Sequence, residues 1–110
     1  MADDCVFCRI AGHESPAEVV FEDDDVVVFK DLHPAAPIHL LVVPKEHIPT
    51  VQEAKGTTVA GLVDRARQLA VAQGFAENGY KLVINCGHDG GQVVNHLHLH
   101  LLAGTKLSGI

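Results

Sequence analysis

Short apolar runs separated by turn-forming segments make up most of the chain. β-Branched and aromatic residues fill the runs 19–21 and 26–29, with four acidic residues between them. This pattern predicts two antiparallel strands joined by an acidic turn. A third strand is predicted over 38–43, after a segment with two prolines and before Pro44, because proline breaks the hydrogen-bond ladder.

The period of the apolar positions changes after Thr50. Apolar residues recur there at three- and four-residue steps as far as Ala72. This spacing predicts one long amphipathic helix with Thr50 as its N-cap and Gly74 just beyond its end. Two more strands are predicted over 80–85 and 93–102, on either side of a glycine-rich loop. Strands gathered around one helix, without strict alternation, predict an α+β fold with an antiparallel sheet.

Composition narrows the class of protein further. The chain has 110 residues, of which 47% are hydrophobic and 20% charged, so we expect one folded domain over 1–110 and no long disordered region. No apolar run approaches the roughly 20 residues that a membrane helix requires. The N-terminal residues show no secretory pattern, and we expect a cytoplasmic protein that does not bind membranes.

Charge argues against a polymeric nucleic acid as partner. The net charge is −6, and the eight basic residues are dispersed singly along the chain. No basic stripe is present that could neutralise a run of phosphates or an anionic membrane surface. Three cysteines without a secretory signal also argue against a disulfide scaffold.

Histidine is strongly over-represented, with eight in the chain. His96, His98 and His100 alternate with leucines, and on a strand they would share one face, each roughly 6.6 Å from the next. Three adjacent imidazoles on a sheet face each need a partner, which indicates a functional site rather than core packing. We interpret four isolated histidines as structural: His13, His33, His39 and His88.

Two kinds of chemistry fit the alternating histidines. Histidines at alternate strand positions can chelate one metal ion from the same face. Alternatively, one imidazole is a nucleophile and its neighbours orient it and bind an anion. Gly90, Gly91 and Gln92 precede the histidines and favour the second, because glycines let backbone amides approach a phosphate closely.

The loop and the alternating histidines together resemble the histidine triad (HIT) superfamily. The shared pattern is Gly-Gly-Gln at 90–92 followed by His-Leu-His-Leu-His-Leu-Leu at 96–102. Upstream segments are similar in order and spacing to the Hint branch, over 5–10, 29–32, 34–39 and 43–48. The resemblance therefore covers nearly the whole chain.

The resemblance implies a fold and an activity. The fold is HIT-like α+β, with a five-stranded antiparallel sheet, one long helix and a short N-terminal helix, in a homodimer whose sheets join into ten strands. The activity is that of a nucleotide-binding hydrolase or transferase. It would cleave purine nucleoside phosphoramidates, or related nucleoside phosphoesters, at the α-phosphate through a nucleotidyl-histidine intermediate. The alternative is a nucleotide-binding regulatory or partner-binding module with little turnover.

The resemblance also assigns roles by position. His98 is the implied nucleophile, His100 contacts the phosphate, and His96 supports them through hydrogen bonds. Asp31 matches the ribose-binding carboxylate of the family. The remaining implied nucleotide contacts are Leu32, Phe7 and Phe29 around the purine base, and Asn85, Gly91, Gln92 and Val93 around the phosphate. Val93 replaces a hydroxyl residue of many relatives, which keeps the alternative of little turnover open.

Two of the three cysteines suggest a metal site. Cys5-X-X-Cys8 with His47 and His96 would complete a tetrahedral Zn²⁺ set of two thiolates and two imidazoles. Some bacterial Hint-like proteins look similar at these positions, and such a closed site would be structural. The competing possibility is a metal cage made by the triad itself, as in a zinc-dependent hydrolytic or storage protein. We interpret Cys86 as a buried thiol.

Overall fold

The computed structural model of the chain describes residues 4–109. Its elements, in chain order, are helix α1 (Val6–Ala11), strands β1 (Val19–Glu22), β2 (Val26–Lys30) and β3 (Ile38–Pro44), a 3₁₀ turn (Val51–Glu53), helix α2 (Gly56–Ala72), and strands β4 (Lys81–Val83) and β5 (Leu99–Ala103). In this part of the chain no helix is both long and apolar enough to cross a bilayer.

The five strands found in the described residues form one antiparallel sheet in the order β1-β2-β3-β5-β4. The acidic turn between β1 and β2 is stabilised by Asp23, whose Oδ1 accepts from the N–H groups of Asp25 and Val26 at 2.9 and 2.8 Å. Arg65 of α2 donates from two nitrogens to the other carboxylate oxygen and ties the turn to the helix. The predicted α+β architecture is confirmed.

The sheet is covered on both faces, which explains the uninterrupted apolar runs of its central strands. One face packs against α2 through Leu62, Ala66 and other buried helix residues. The opposite face packs against α1, whose Phe7 and Ile10 contact alternate residues of β2 and β3. In β5 the leucines at 99 and 101 lie in the α2 core.

The predicted long helix is interrupted near its start. Thr50 does act as an N-cap, but of the 3₁₀ turn, where its hydroxyl accepts from the Gln52 N–H at 3.2 Å. Ala54 is extended, and α2 begins only at Gly56. Val51 and Ala54 still pack against the α2-face core. The apolar period therefore continues across a change of backbone direction, which is why periodicity alone predicted one helix.

Strands β4 and β5 are both shorter than predicted. β4 is limited to 81–83, and β5 begins at Leu99 instead of 93. The register of β3 and β5 pairs Val42 with Leu99, so its continuation would set Leu97 opposite Pro44, which has no N–H to donate. The Leu97 N–H donates instead to the Ile48 carbonyl at 2.7 Å. His96 and His98 consequently lie outside the ladder.

Candidate active site and metal centre

A cavity of about 480 Å³ opens on the α1 face of the sheet. Among its lining residues are nine of the predicted nucleotide contacts: Phe7, Phe29, Asp31, Leu32, Asn85, Gly91, Val93, His98 and His100. Leu32 and Val93 have 82% and 92% of their surface exposed. The structure thus brings together residues that are up to 93 positions apart in the chain (7 to 100), and Gln92 is the predicted contact that does not line this cavity.

His98 is held in one tautomer. Its Nδ1 lies 2.7 Å from the carbonyl oxygen of His96, and since a carbonyl can only accept, Nδ1 carries the proton. Nε2 is therefore the unprotonated nitrogen of the neutral ring. The ring is buried, and the Phe7 ring packs edge-on against it with centroids 5.1 Å apart. The arrangement presents one imidazole lone pair in a largely apolar cavity.

His100 is held in the opposite tautomer through His39. The Ala35 N–H donates to His39 Nδ1 at 2.9 Å, so the proton of His39 lies on Nε2. That Nε2–H faces His100 Nδ1 at 2.9 Å and the Asp31 carboxylate at 3.4 Å. His100 Nδ1 accepts, and His100 carries its proton on Nε2. The same bonds leave neither nitrogen of His39 free to bind a metal ion with Asp31 and His100.

The His39 and His100 rings are both neutral at pH 7. Burial, followed by the nearby His98 and His39 rings, lowers the pKa of His100 to about 4. Burial also lowers the pKa of His39, although Asp31 opposes that shift. His100 therefore offers an N–H donor without a permanent positive charge.

His39 is a buried, hydrogen-bonded histidine, as the sequence interpretation expects, and the structure adds that His100 is its partner. It is buried in β3 on the same face as Leu41, directly beside His100. The available signal was its position as the only polar residue of the apolar strand 38–43. That signal does not reveal the partner, because His100 is 61 positions away.

The glycine-rich loop is stabilised mainly from within. A Cβ at Gly90 would lie 2.3 Å from the Cys86 carbonyl oxygen, so only glycine fits there, and Gly91 has a positive φ of 79°. The Gly91 and Gln92 N–H groups donate to loop carbonyls. These two amides are therefore occupied and do not form the expected anion nest. Among residues 4–109, nothing accepts from the Val93 N–H.

Gln92 ties the loop to the rest of the fold. Its Oε1 accepts from the Gly87 N–H at 2.9 Å, and its Nε2 donates to the carbonyls of Pro49 and Val94 at 2.7 and 3.0 Å. Asn85 lines the cavity and also donates to the Gly90 carbonyl at 2.8 Å. Gln92 thus holds the position of its neighbour Val93 rather than lining the cavity itself.

A second cluster lies beneath α1. The thiols of Cys5 and Cys8 and the Nδ1 atoms of His47 and His96 contribute ligand atoms that all lie within 4.8 Å of one another. The Cys5 sulfur is 3.3 Å from His96 Nδ1, and the Cys8 sulfur is 3.1 Å from His47 Nδ1. These four residues fit a tetrahedral metal ion by ligand type and number.

His96 is oriented for this cluster by its other nitrogen. Its Nε2–H donates to the Pro44 carbonyl at 2.8 Å, so Nδ1 keeps its lone pair and faces the thiols. With both nitrogens engaged, His96 has none left for a metal cage with His98 and His100. The geometry therefore argues against the cage.

The cysteines differ in their surroundings. Burial and the neighbouring Cys5 thiol raise the pKa of Cys8 to about 11, and a cation at the cluster would stabilise its thiolate. Cys86 is exposed, so its interpretation as a buried thiol is wrong. It follows the short strand β4, outside the apolar core, in the glycine-rich segment.

Comparison with known proteins assigns the family. The HIT domain family matches residues 12–107. The chain is 38% identical over 110 residues to the purine nucleoside phosphoramidase of Escherichia coli (strain K12), covering 97% of this chain and 92% of that protein. The chain therefore belongs to the HIT family, as its alternating histidines indicate.

Solved structures agree in fold. The HIT family hydrolase from Legionella pneumophila Philadelphia 1 is 46% identical with a TM-score of 0.92, over 96% of each chain. The zinc-bound histidine triad family protein from Mycobacterium smegmatis is 32% identical with a TM-score of 0.85, over 93% of this chain and 76% of that chain. The HIT-like fold is confirmed.

We expect folding stability to decrease as the pH falls from about 6.5 towards 4. His100 has a pKa of about 4 in the folded chain and near 6.5 when unfolded, so the unfolded state binds more protons in that interval. Urea unfolding measured across this range should show a steeper dependence for the parent than for His100→Asn, whose amide retains an acceptor for His39. Identical pH dependence would contradict the assigned neutral state of His100.

Proposed function

We propose that this protein is a nucleoside phosphoramidase. It cleaves purine nucleoside phosphoramidates, or related nucleoside phosphoesters, at the α-phosphate through a nucleotidyl-histidine intermediate. The observation that carries the proposal is the fixed tautomer of His98, whose unprotonated Nε2 belongs to a buried ring in the wall of the cavity. The named activity of the Escherichia coli relative supports the same reaction class.

In the first step, His98 Nε2 attacks the α-phosphorus as the bond to the leaving nitrogen breaks. The nitrogen departs with the bonding electron pair and takes a proton from solvent at the open mouth, since the exposed Val93 side chain has no proton to give. The positive charge that develops on His98 is stabilised by the His96 carbonyl. Water then attacks the phosphorus and loses a proton to solvent while the bond from phosphorus to Nε2 breaks. The electron pair returns to Nε2, which releases the nucleoside monophosphate and restores neutral His98.

Neutral donors surround the proposed phosphate position. His100 offers its Nε2–H, and Val93 offers its backbone N–H at the cavity wall. Both would hydrogen-bond to phosphate oxygens and gain strength as negative charge accumulates there. Gln92 contributes by fixing the loop on which Val93 lies.

The nucleoside part has a polar and an apolar contact region. Asp31 accepts from the His33 N–H at 2.8 Å through Oδ1, and its carboxylate remains available to accept from ribose hydroxyls. Phe7, Phe29 and Leu32 provide apolar surface for a purine base. The carboxylate suits the ribose and the apolar surface suits the base, so the two regions together fit the nucleoside part of the substrate.

A second candidate function is a nucleotide-binding regulatory module with little turnover. It is favoured by Val93, an exposed apolar side chain at the mouth where a leaving group would be protonated. Turnover of adenosine phosphoramidate by the pure protein distinguishes the enzyme from the regulatory module.

Dimerisation is also a proposal. Strand β4 lies at the edge of the sheet, where pairing with β4 of a second copy would make ten strands.

We further propose that Cys5, Cys8, His47 and His96 bind Zn²⁺. The two thiols, the two imidazoles and the orientation of His96 support this choice, as does the zinc-bound Mycobacterium smegmatis structure. When bound, the ion would neutralise the thiolates and connect α1 to the segment after β3. All four positions are filled by protein, so the site is structural and not itself catalytic.

His98→Ala should abolish turnover of adenosine phosphoramidate while binding of adenosine monophosphate survives. A nucleophile contributes far more to the transition state than to ground-state affinity. Single-turnover rates and calorimetric affinity measure the two effects. His13→Asn, a change at an exposed position with a left-handed φ of 62°, is the control and should match the parent. Parent-like turnover in His98→Ala would refute the assigned nucleophile.

Asp31→Ala should weaken binding of adenosine monophosphate by about 1.5–3 kcal/mol, since a hydrogen-bonded charge is lost. The 2′-deoxy nucleotide should lose less, because it presents one fewer hydroxyl to the carboxylate. Asp24→Ala removes an exposed carboxylate from the β1–β2 turn and serves as the control. Unchanged affinity for the ribonucleotide in Asp31→Ala would exclude Asp31 from ribose recognition.

Protein purified without chelator should contain close to one zinc ion per chain, measured by elemental analysis. Cys8→Ser should lose zinc and melt at a lower temperature, because metal-binding free energy contributes to folding. Cys86→Ser removes an exposed thiol and should retain zinc. The triad cage predicts the reverse pattern, with zinc lost in His98→Ala and retained in Cys8→Ser. Zinc-free parent protein would refute both sites.

A further inference from the structure

We propose that Cys5 and Cys8 are positioning residues for the reaction, in addition to their role as ligands of a structural metal site. When these cysteines, His47 and His96 hold their ion, the cluster fixes both the nucleophile His98 and the α1 wall of the nucleotide cavity. This inference rests on the proposed function. Two separate sets of contacts connect the cluster to the site.

The first connection runs through one turn of α1. Cys5 is the N-cap of the helix, and its sulfur accepts from the Cys8 N–H at 3.4 Å. Phe7 lies between the two cysteines, and its ring contacts the His98 ring at 5.1 Å between centroids. Val6, Phe7 and Ile10 all line the cavity. A displacement of the two sulfurs therefore moves the wall against which His98 packs.

The second connection runs through His96, whose ring is fully buried. Its Nδ1 lies 3.3 and 3.4 Å from the two sulfurs, and its own carbonyl accepts from His98 Nδ1–H at 2.7 Å. His96 and His98 lie outside the sheet ladder, so the peptide that carries this carbonyl is held by the contacts of the His96 ring and by the Leu97 N–H, which donates to the Ile48 carbonyl at 2.7 Å. If the carbonyl moves, His98 loses the bond that keeps its proton on Nδ1 and its lone pair on Nε2.

The rest of α1 provides a limited anchor. The helix has six residues, too few to be stable without tertiary contacts. Apart from the cysteines, its buried side chains are Phe7 and Ile10, in the smaller of the two apolar clusters, where Ala11 also packs, and Arg9 donates to the Ser15 hydroxyl at 3.3 Å. The larger cluster lies on the opposite face of the sheet, with α2. Loss of the ion should therefore loosen α1 and the region around His96 while α2 and the sheet remain folded.

The test compares zinc-loaded protein, the same protein after chelation, and chelated protein with zinc restored, all well below the melting temperature. ¹⁵N NMR of the histidine rings should show His98 protonated on Nδ1 in the loaded protein and a mixture of tautomers after chelation. The dissociation constant of adenosine monophosphate should rise at least about tenfold, the scale typical of supporting contacts. Restoring zinc should reverse both changes.

Leu69→Ala is the matched control, because Leu69 is buried in the α2 core, whereas Phe7 and Ile10 of α1 pack in the other apolar cluster. It lowers overall stability, yet it should leave the His98 spectrum and the nucleotide affinity unchanged. If chelated protein does not stay folded, His47→Asn replaces only the exposed ligand and should show the same changes in milder form.

Two results would overturn the proposal. One is a folded, zinc-free protein with parent-like His98 tautomer and nucleotide affinity, which would show that the cluster only stabilises the fold. The other is failure of the protein to take up zinc. Loaded protein that binds no adenosine monophosphate would instead refute the proposed function. In that case the His98 spectrum with and without zinc still decides whether the cysteines position the ring.

Discussion

The hydrogen bond from His98 Nδ1–H to the His96 carbonyl is the contact on which the chemistry of the site depends, because it sets which nitrogen of His98 is unprotonated. This hydrogen bond forms only if the residues before Leu99 depart from regular strand geometry. In a regular strand, side chains stand perpendicular to the sheet while carbonyls lie in its plane and face the neighbouring strand. The ladder ends at the pair Val42 and Leu99, and Pro44, which the continued register would set opposite Leu97, has no N–H to extend it. In the segment before Leu99 the His98 ring lies against the carbonyl two residues earlier.

The hydrogen-bond partner of each triad histidine determines its properties in the same way. Each triad histidine has one nitrogen engaged by a protein group, and that group determines the function of the other nitrogen. Pro44 directs the lone pair of His96 to the thiols, and the His96 carbonyl leaves the lone pair of His98 on Nε2. His39 leaves His100 with an N–H donor. Three chemically equal positions in the sequence thus take, in the proposed function, the separate roles of metal ligand, nucleophile and donor.

Much of this arrangement could be predicted from sequence, and the exceptions have physical causes. The His-Leu alternation extends to residues before the start of β5 because Leu97 packs in the same α2-face core as Leu99 and Leu101, so the histidines keep the opposite face. Periodicity could not reveal the extended residue Ala54, since the apolar side chains on either side of the bend stay in the core. Nor could it reveal His39, whose significance lies in partners distant in sequence.

The cavity binds an anion in the proposed reaction without a free cation. Among the described residues that line it, Lys30 is the only lysine or arginine, and it is paired with Glu18 at 2.8 Å. His100 stays neutral because burial lowers its pKa to about 4. In the proposed reaction, new positive charge develops on His98 as its bond to phosphorus forms. Electrostatic attraction to the phosphate is then greater in the transition state than in the substrate or product complexes, which is the condition for catalysis rather than tight binding.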